Sequence, residues 1–206
     1  MKAATGIRWL LPAGWALAAA GSYGPWVAHK TAALALSGTD LGEFVKFLPD
    51  GTVVRQLFYL PPLAVVIGVA LLACSRQMSY SPPLRLLLLA LAIPVSLQLL
   101  PPAWSPASLI TPEFRLQTAV VGFCWLLLLA SPLLGRLPVR FTGLLTGALA
   151  IAAAGLAAWQ FLAVKPAIDR LYGTPPPIGW GFYLCLIGLA AVAGAGMALA
   201  TKAYRP

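Results

Sequence analysis

The stretch Phe141–Val164, FTGLLTGALAIAAAGLAAWQFLAV, contains no charged residue over 24 positions. An α-helix rises about 1.5 Å per residue, so this stretch would be roughly 36 Å long, and the hydrocarbon core of a bilayer is about 30 Å thick. Charged residues flank it at Arg140 and Lys165. The stretch therefore predicts a helix that crosses a membrane.

Similar apolar runs recur along the whole chain. The predicted membrane helices are 7–28, 57–74, 84–100, 116–134, 141–164 and 178–201. Only 9% of the 206 residues are charged and 60% are hydrophobic, whereas soluble domains carry roughly 25% charged residues. Six such helices leave room for connections but not for a soluble domain. We therefore expect an all-α membrane protein, one polytopic domain over residues 1–206, with six transmembrane helices in three hairpins.

The first apolar run has an alternative interpretation. Ala18–Ala20, preceded by Lys2 and Arg8, is similar to the end of a cleaved signal peptide. Trp9, Pro12 and Trp15 of this run are unusual in the core of such a leader. We therefore expect it to be retained as a membrane helix.

The charged residues predict the orientation of the helices. If the N-terminus is cytoplasmic, the inner segments hold eight basic residues and no acid: Lys2, Arg8, Arg76, Arg85, Arg136, Arg140, Lys202 and Arg205. The outer connections hold the other six basic residues and all five acids, Asp40, Glu43, Asp50, Glu113 and Asp169. Cytoplasmic connections of membrane proteins are enriched in Lys and Arg. We therefore expect a multi-pass protein of the cell (cytoplasmic) membrane, with both termini and the two short connections inside.

The first outer connection predicts a short interfacial helix. Ser37 and Asp40 suit the start of a helix, and Pro49 suits its end. Apolar residues follow at i, i+3, i+4 and i+7, and so fall on one helix face: Leu41, Phe44, Val45 and Leu48. Such a segment fits two roles, a cover for the ends of neighbouring helices or a lid over an outward-facing cavity.

Aromatic and charged residues gather at the predicted outer boundary. An interfacial aromatic belt is one explanation. A ligand pocket is the other, because pockets combine apolar walls with a few polar groups. The candidate outer-face site for a ligand or partner comprises Trp26, His29, Trp104, Glu113, Arg115, Asp169, Arg170, Tyr172 and Trp180.

Small residues predict how the helices pack, because lipid offers no hydrophobic drive to bring helices together. The fifth helix has Gly143 and Gly147 four positions apart, and the sixth has Ala190, Gly194 and Ala198 at the same spacing. We therefore expect these two helices to pack closely.

The sequence carries no catalytic, cofactor or metal signature. His29 is the only histidine, and the cysteines Cys74, Cys124 and Cys185 show no CxxC spacing. No ionisable residue falls deep in a predicted span, where a proton relay would need one. The basic residues are scattered, which argues against nucleic-acid binding despite the net charge of +9. We expect no cofactor, no bound metal and no enzymatic activity.

The predicted topology is similar to that of the substrate-binding membrane subunits of the energy-coupling-factor vitamin transporters. The resemblance covers six helices, an inner N-terminus, long outer connections and the small-residue spacing of Ala16–Ala20. It implies a small-molecule-binding transport component with an outward-facing pocket. The lack of chemistry instead favours a non-enzymatic subunit or accessory component of a larger membrane assembly, with lipid and other membrane subunits as partners. An intramembrane enzyme using the outer acids is a third hypothesis.

Overall fold

The computed structural model describes residues 2–29, 31, 35–47, 54–101 and 104–202, with side chains described from Gly6 to Thr201 of these ranges. Most of the described chain is helical. The α-helices are α1 Lys2–Tyr23, α2 Gly38–Phe44, α3 Leu60–Ala73, α4 Pro82–Leu97, α5 Pro106–Leu109, α6 Arg115–Leu129, α7 Ser131–Leu134, α8 Val139–Tyr172 and α9 Trp180–Lys202. Two 3₁₀ turns cover Val45–Phe47 and Arg55–Tyr59, and two short strands, β1 Pro25–Val27 and β2 Leu36–Ser37, pair antiparallel.

Three helical segments in the described ranges are long and apolar enough to cross a membrane. They are Arg55–Ala73 with 19 residues, Val139–Tyr172 with 34 and Trp180–Thr201 with 22. α4 and α6 are apolar but shorter, with 16 and 15 residues. Tight turns continue α4 to Leu100, and α7 follows α6 after one intervening residue. The protein is therefore helical, with three helices suited to a membrane.

Helix α9 lies between α1 and α8 and contacts both. A Cβ atom added to Gly188 would collide with the backbone of Gly14 and Ala18 on α1. A Cβ atom added to Gly143 on α8 would lie 2.7 Å from the carbonyl oxygen of Gly196. Close packing of the fifth and sixth predicted helices is therefore confirmed, and the first helix packs on α9 by the same means. The predicted face of the sixth helix is wrong, because a Cβ atom added to Gly194 would meet nothing within 4 Å and α9 contacts α8 through Gly196 instead.

Helix α3 lies across this layer and contacts α1, α4, α6 and α8. The Trp15 indole of α1 packs directly on Gly68, where a Cβ atom would overlap the ring. The buried Ser131 hydroxyl, at the start of α7, donates to the carbonyl oxygen of Ala70 at 2.7 Å. These contacts make α3 the most buried of the three long segments.

One end of the molecule, here named the basic end, joins the start of α1 to the α3–α4 and α7–α8 connections. The Tyr80 hydroxyl donates to the carbonyl oxygen of Arg8 at 2.7 Å. The amide of Arg76 donates to the carbonyl oxygen of Gly135 at 3.2 Å. The charged residues of these three segments, Lys2, Arg8, Arg76 and Arg136, are all basic.

The opposite end, here named the loop end, joins the three longer connections. The amide of Ala28 donates to the carbonyl oxygen of Pro177 at 3.0 Å, and Lys46 contacts Glu113 at 2.9 Å. The acids of the described residues lie here: Asp40, Glu43, Glu113 and Asp169. Six helices therefore run alternately between the basic end and the loop end in the described part of the chain. They are α1, α3, α4, α6, α8 and α9.

The first predicted helix, 7–28, ends at Tyr23 in the structure. Gly24 precedes Pro25, and a residue before proline is disfavoured from the helical conformation. The following residues, Pro25–Val27, form β1, and Val27 also bridges to Ile178. The last five positions of the prediction are therefore extended chain at the loop end.

The fifth predicted helix, 141–164, continues to Tyr172 and shortens the third outer connection. Lys165 and Asp169 form an ion pair one helical turn apart, and Ile168 is fully buried, so the extra turns have both packing and charge pairing. Gly173 ends the helix with a φ of +69°, a region that glycine adopts readily. The predicted outer residues Asp169, Arg170 and Tyr172 are therefore helical.

The predicted short helix of the first connection is present as α2, but it is shorter than the apolar pattern indicated. Ser37 caps it, and after Phe44 the chain tightens to a 3₁₀ turn that ends at Phe47. Leu48 and Pro49, which the prediction also used, and the predicted outer acid Asp50 lie outside the described residues.

Candidate functional site: an acidic cleft at the loop end

Helix α2 fixes the position of the acids at the loop end. Its capping box joins the Ser37 amide to Asp40 Oδ2 at 3.0 Å and the Asp40 amide to Ser37 Oγ at 3.2 Å. Leu41 and Val45 are buried against the helices below, with 0% and 5% of their surface exposed. Glu43, between them in sequence, therefore faces away from this apolar contact and is only partly buried.

Gly42 lets the 3₁₀ turn Arg55–Tyr59 approach α2 closely. A Cβ atom at this position would lie 3.0 Å from the ring of Tyr59, which is tighter than ordinary van der Waals contact. Because the ring can approach, the Tyr59 hydroxyl reaches across and donates to Glu43 Oε1 at 2.5 Å.

Glu43 is the centre of a polar network that connects three segments of the chain. Lys46 Nζ lies 2.5 Å from Glu43 Oε2 and 2.9 Å from Glu113 Oε1, so one ammonium pairs with two carboxylates. Gln117 Nε2 on α6 lies 3.5 Å from Glu43 Oε1. The network therefore ties α2 to the start of α3 and to the start of α6.

These contacts keep Glu43 ionised. Burial raises the pKa of its carboxyl, but the hydrogen bonds from Lys46 and Tyr59 and the charges of Lys46 and Arg55 outweigh burial and lower the pKa below 4.5. For Lys46, burial lowers the pKa, but the bonds to Glu43 and Glu113 raise it above 10.5. Both partners are therefore charged at neutral pH.

The charges around the network do not cancel. Three carboxylates, those of Asp40, Glu43 and Glu113, stand near two cations, Lys46 and Arg55, which leaves a net charge of −1. The whole chain carries +9. The network is thus locally negative in a positively charged protein, although the loop end as a whole holds more basic than acidic residues.

A cleft of about 170 Å³ opens beside this network and is here named the acidic cleft. It is lined by Thr39, Asp40, Glu43, Tyr59, Leu97, Gln98, Leu100, Pro101 and Trp104. The Gln98 amide oxygen lies 2.9 Å from the buried Ser22 hydroxyl on α1, which holds the Gln98 side chain in the wall. Trp104 is half exposed and covers the side away from α2. The cleft therefore combines carboxylates, an amide and two aromatic rings.

Of the candidate residues from the sequence, Trp104 and Glu113 lie at this site. Trp104 lines the acidic cleft, and Glu113 pairs with Lys46 beside it. Arg115 is exposed and borders a separate shallow depression with Ile110 and Pro112.

Trp26 lies instead in the protein core. Its indole is fully buried, packs edge-on against Phe161 at 5.5 Å and Phe182 at 5.2 Å, and donates to the carbonyl oxygen of Gly21 at 3.2 Å. Trp26 therefore belongs neither to an interfacial aromatic belt nor to the wall of a ligand pocket.

The remaining candidates lie around the end of α8. His29 stacks edge-on against Tyr172 with 5.6 Å between ring centroids, and Asp169 pairs with Lys165 of its own helix. Arg170 is exposed. Trp180, also exposed, covers Gly24. None of these contacts involves a residue of the acidic cleft. The nine candidates are therefore two residues at the cleft, Arg115 beside a separate depression, five residues around the end of α8 and one core residue.

Sequence reasoning did not select Glu43, Tyr59 or Gln117 as site residues. Glu43 and Lys46 lie off the apolar face of the predicted helix, and nothing local connects Glu43 to Tyr59, 16 positions later. The one available signal was Gly42, a residue without a side chain in the middle of a short helix.

The described residues contain no cluster of three or more His, Cys, Asp or Glu side chains that could hold a metal ion. Cys124 and Cys185 are buried free thiols, and Cys74 is half-buried. Comparison of the chain with protein-family models, curated proteins and solved structures found no match.

Proposed function

We propose that this chain is a non-enzymatic membrane protein of the cell membrane that crosses the bilayer six times, with both termini in the cytoplasm. The alternation of successive helices between the basic end and the loop end supports six passes. The arginines of the basic end support a cytoplasmic location for that end, since cytoplasmic connections are enriched in basic residues. The acidic cleft then faces outward.

In this orientation the acidic cleft binds a small organic cation, such as an alkylammonium group. The observation that carries this proposal is the pairing of carboxylates with aromatic rings, Asp40 and Glu43 with Tyr59 and Trp104, around one opening. A carboxylate attracts an ammonium by charge, and an aromatic face attracts it through the ring quadrupole. The net negative charge of the network favours a cation over an anion.

The size of the cleft limits the ligand. Clefts that hold drug-sized ligands measure roughly 300–1,000 Å³, whereas this one measures about 170 Å³. The ligand, or the part of it that enters, is therefore small. This function agrees with the hypothesis of a small-molecule-binding transport component. The predicted topology, which is similar to that of energy-coupling-factor substrate-binding subunits, supports that hypothesis independently.

Binding can be tested with tetramethylammonium on the purified full chain in mild detergent, by calorimetry and by thermal unfolding. We expect saturable binding and an increased unfolding temperature, and neither effect with neopentyl alcohol, a neutral molecule of similar shape. Trp104→Ala should weaken binding by about 1–3 kcal/mol, because it removes an aromatic wall. Equal responses to the charged and neutral probes would contradict the proposal.

Trp180→Ala is the matched control for Trp104→Ala. Trp180 is also an exposed tryptophan of the loop end, but it covers Gly24 and does not line the acidic cleft. We expect its removal to leave tetramethylammonium binding unchanged. Equal losses in both variants would indicate a general aromatic effect.

The second candidate function is that of an accessory component of a larger membrane assembly. It is favoured by one open face of α8, where a Cβ atom added to Gly155 would meet nothing within 4 Å. Ala148 and Ala152 are exposed on the same face, and small residues allow a partner helix to approach closely. Mass analysis after purification in mild detergent tests this function: a co-purifying membrane subunit, lost on Gly155→Leu, is the expected result.

A further inference from the structure

A second cleft lies on the side of the molecule between α1, α3 and α4. It measures about 320 Å³, and its lining is apolar except for the ends of two aromatic side chains, Trp15 and Tyr23. Three alanines of α1, Ala16, Ala19 and Ala20, form its hollow wall, and Leu88 and Leu91 of α4 form the opposite wall. It is here named the lateral cleft.

Two arginines of the basic end, Arg8 of α1 and Arg85 of α4, contact the same connection at Ser79 and Tyr80. The Arg8 guanidinium carbon lies 5.4 Å from the centre of the Tyr80 ring, and the Arg8 side chain donates to the carbonyl oxygen of Ser79. Arg85 Nε donates to the carbonyl oxygen of Tyr80 at 2.8 Å. Ser79 adopts a φ of +46°, which is uncommon for a residue with a side chain. One short connection thus fixes both cations.

The helix register places both arginines in line with the cleft. Pro12, the first lining residue of α1, follows Arg8 by four positions, and Leu88 of α4 follows Arg85 by three. Residues three or four positions apart lie on the same helix face. From Pro12 to Tyr23 the wall of α1 then extends for roughly 17 Å of helix.

The guanidinium groups of Arg8 and Arg85 have more N–H donors than the contacts above use. A guanidinium has five N–H donors. In the described part of the chain one acceptor is recorded for each of Arg8 and Arg85, and Arg8 Nε is buried without a partner. The Trp15 indole N–H, in the lining of the cleft, is also buried without a partner there. Both arginines are half-buried, whereas Arg76 of the same end is exposed.

We propose that the lateral cleft is a binding site for one anionic phospholipid. Arg8 and Arg85 hold the phosphate headgroup, and one acyl chain occupies the apolar cleft along the Ala16–Ala20 wall. Charge complementarity identifies this occupant: a basic pair at one end of an apolar slot in a membrane-embedded surface matches an amphiphile with an anionic head. A second copy of this chain would bring further arginines to the same end and would be repelled there.

The test is native mass spectrometry of the full chain in mild detergent, titrated with palmitoyl-oleoyl phosphatidylglycerol or with phosphatidylcholine of the same chains. We expect phosphatidylglycerol to bind about tenfold more tightly, and Arg8→Gln or Arg85→Gln to remove that preference, because charge-assisted bonds to phosphate are lost. Arg76→Gln should retain it. Equal binding of both lipids, or an equal loss in Arg76→Gln, would overturn the proposal.

A second pair of variants tests the acyl part of the site. Ala16→Leu adds three carbons inside the lateral cleft, whereas Ala90→Leu adds them to an exposed position of α4 outside the cleft. We expect Ala16→Leu to reduce retention of both lipids severalfold and Ala90→Leu to leave it unchanged. Equal retention in the two variants would overturn the acyl site. A protein dimer that dissociates in Ala16→Leu would identify a second copy as the occupant instead.

Discussion

Glu43 connects three segments of the chain through one carboxylate. It accepts from the Tyr59 hydroxyl, pairs with Lys46 and lies near the Gln117 amide, while 20% of its side chain is exposed. Gln117 is 8% exposed, and its amide oxygen is buried without a partner among the described residues. A few polar residues therefore join these segments at the loop end, which also contains the buried side chains of Trp26, Leu41 and Phe58.

Glu43→Gln should lower stability in a pH-dependent way. The pKa of Glu43 is lowered below 4.5 in the folded protein, so its contribution is fully present above about pH 4.5 and is lost as the pH falls through the folded pKa. At pH 7 we expect the variant to be less stable by about 1.5–3 kcal/mol, as for hydrogen bonds to a charged group. Thermal unfolding in detergent from pH 7 to pH 3 measures the difference between wild type and variant.

The control for this variant is Glu113→Gln. The Glu113 side chain is 58% exposed, and exposed ion pairs contribute at most about 1 kcal/mol. A wild-type advantage over Glu43→Gln that stays constant from pH 7 to pH 3 would contradict the role given to the Glu43 charge.

Tyr59→Phe should destabilise the loop end while retaining the packing of the ring on Gly42. The variant removes the hydroxyl that donates to Glu43 at 2.5 Å, and a bond to a charged group contributes about 1.5–3 kcal/mol. Tyr183→Phe removes an exposed hydroxyl and should change stability by less than about 0.5 kcal/mol. Equal unfolding temperatures for the two variants would argue against the contact.

Among the elements, α9 depends most clearly on glycine. Gly188 packs against the backbone of α1, whereas Gly194 of the same helix has nothing within 4 Å of an added Cβ atom. The close glycine contacts of α9 with α1 and α8 are made inside the chain. The faces around Gly155 of α8 and Gly194 of α9 are open.

Gly188→Ala and Gly194→Ala should have opposite effects. The first inserts a methyl group 2.6 Å from the Gly14 carbonyl oxygen and should destabilise the protein by about 1–3 kcal/mol, because backbone atoms cannot rotate away. The second should be neutral or stabilising by up to about 1 kcal/mol, because alanine favours helix. Thermal unfolding of both variants in one detergent decides; destabilisation by both would show that α9 packs differently.

At the scale of the whole molecule, charge is divided between the two ends. The described acids lie at the loop end, and the basic end carries arginine without acid. The two clefts follow this division: the acidic cleft belongs to the loop end, and the lateral cleft begins at the arginines of the basic end. An outward loop end would therefore present a cation site to the exterior and a phosphate site to the inner leaflet.

The topology prediction can be tested by labelling single cysteines in a background without Cys74, Cys124 and Cys185. Exposed positions of the basic end, Gln77→Cys and Arg136→Cys, should not react with a membrane-impermeant maleimide added to intact cells. Exposed positions of the loop end, Pro112→Cys and Arg170→Cys, should react. Permeabilised cells provide the control, in which all four should react. The reverse pattern in intact cells would place the basic end outside.

The composition and the apolar runs were sufficient to predict a helical protein with membrane-length helices, because hydrophobic burial and helix periodicity are encoded locally. The capping box of α2 was equally local, since Ser37 and Asp40 are three positions apart. The ends of α1 and α8 were predicted less well. Tertiary contacts determined both ends. Burial of Ile168 accompanies the extension of α8, and pairing of β1 with β2 follows the end of α1.

The candidate site depended on tertiary structure. The sequence determined which residues are acidic or aromatic. Its charge pattern also predicted that the acids lie in the three longer connections. Only the folded chain decided that Tyr59 meets Glu43, that Lys46 meets Glu113 across 67 positions and that Trp26 is buried in the core. The physical reason is that a local sequence pattern encodes depth and helix face, whereas lateral neighbours are set by which helices pack together, as the glycine contacts of α9 do here.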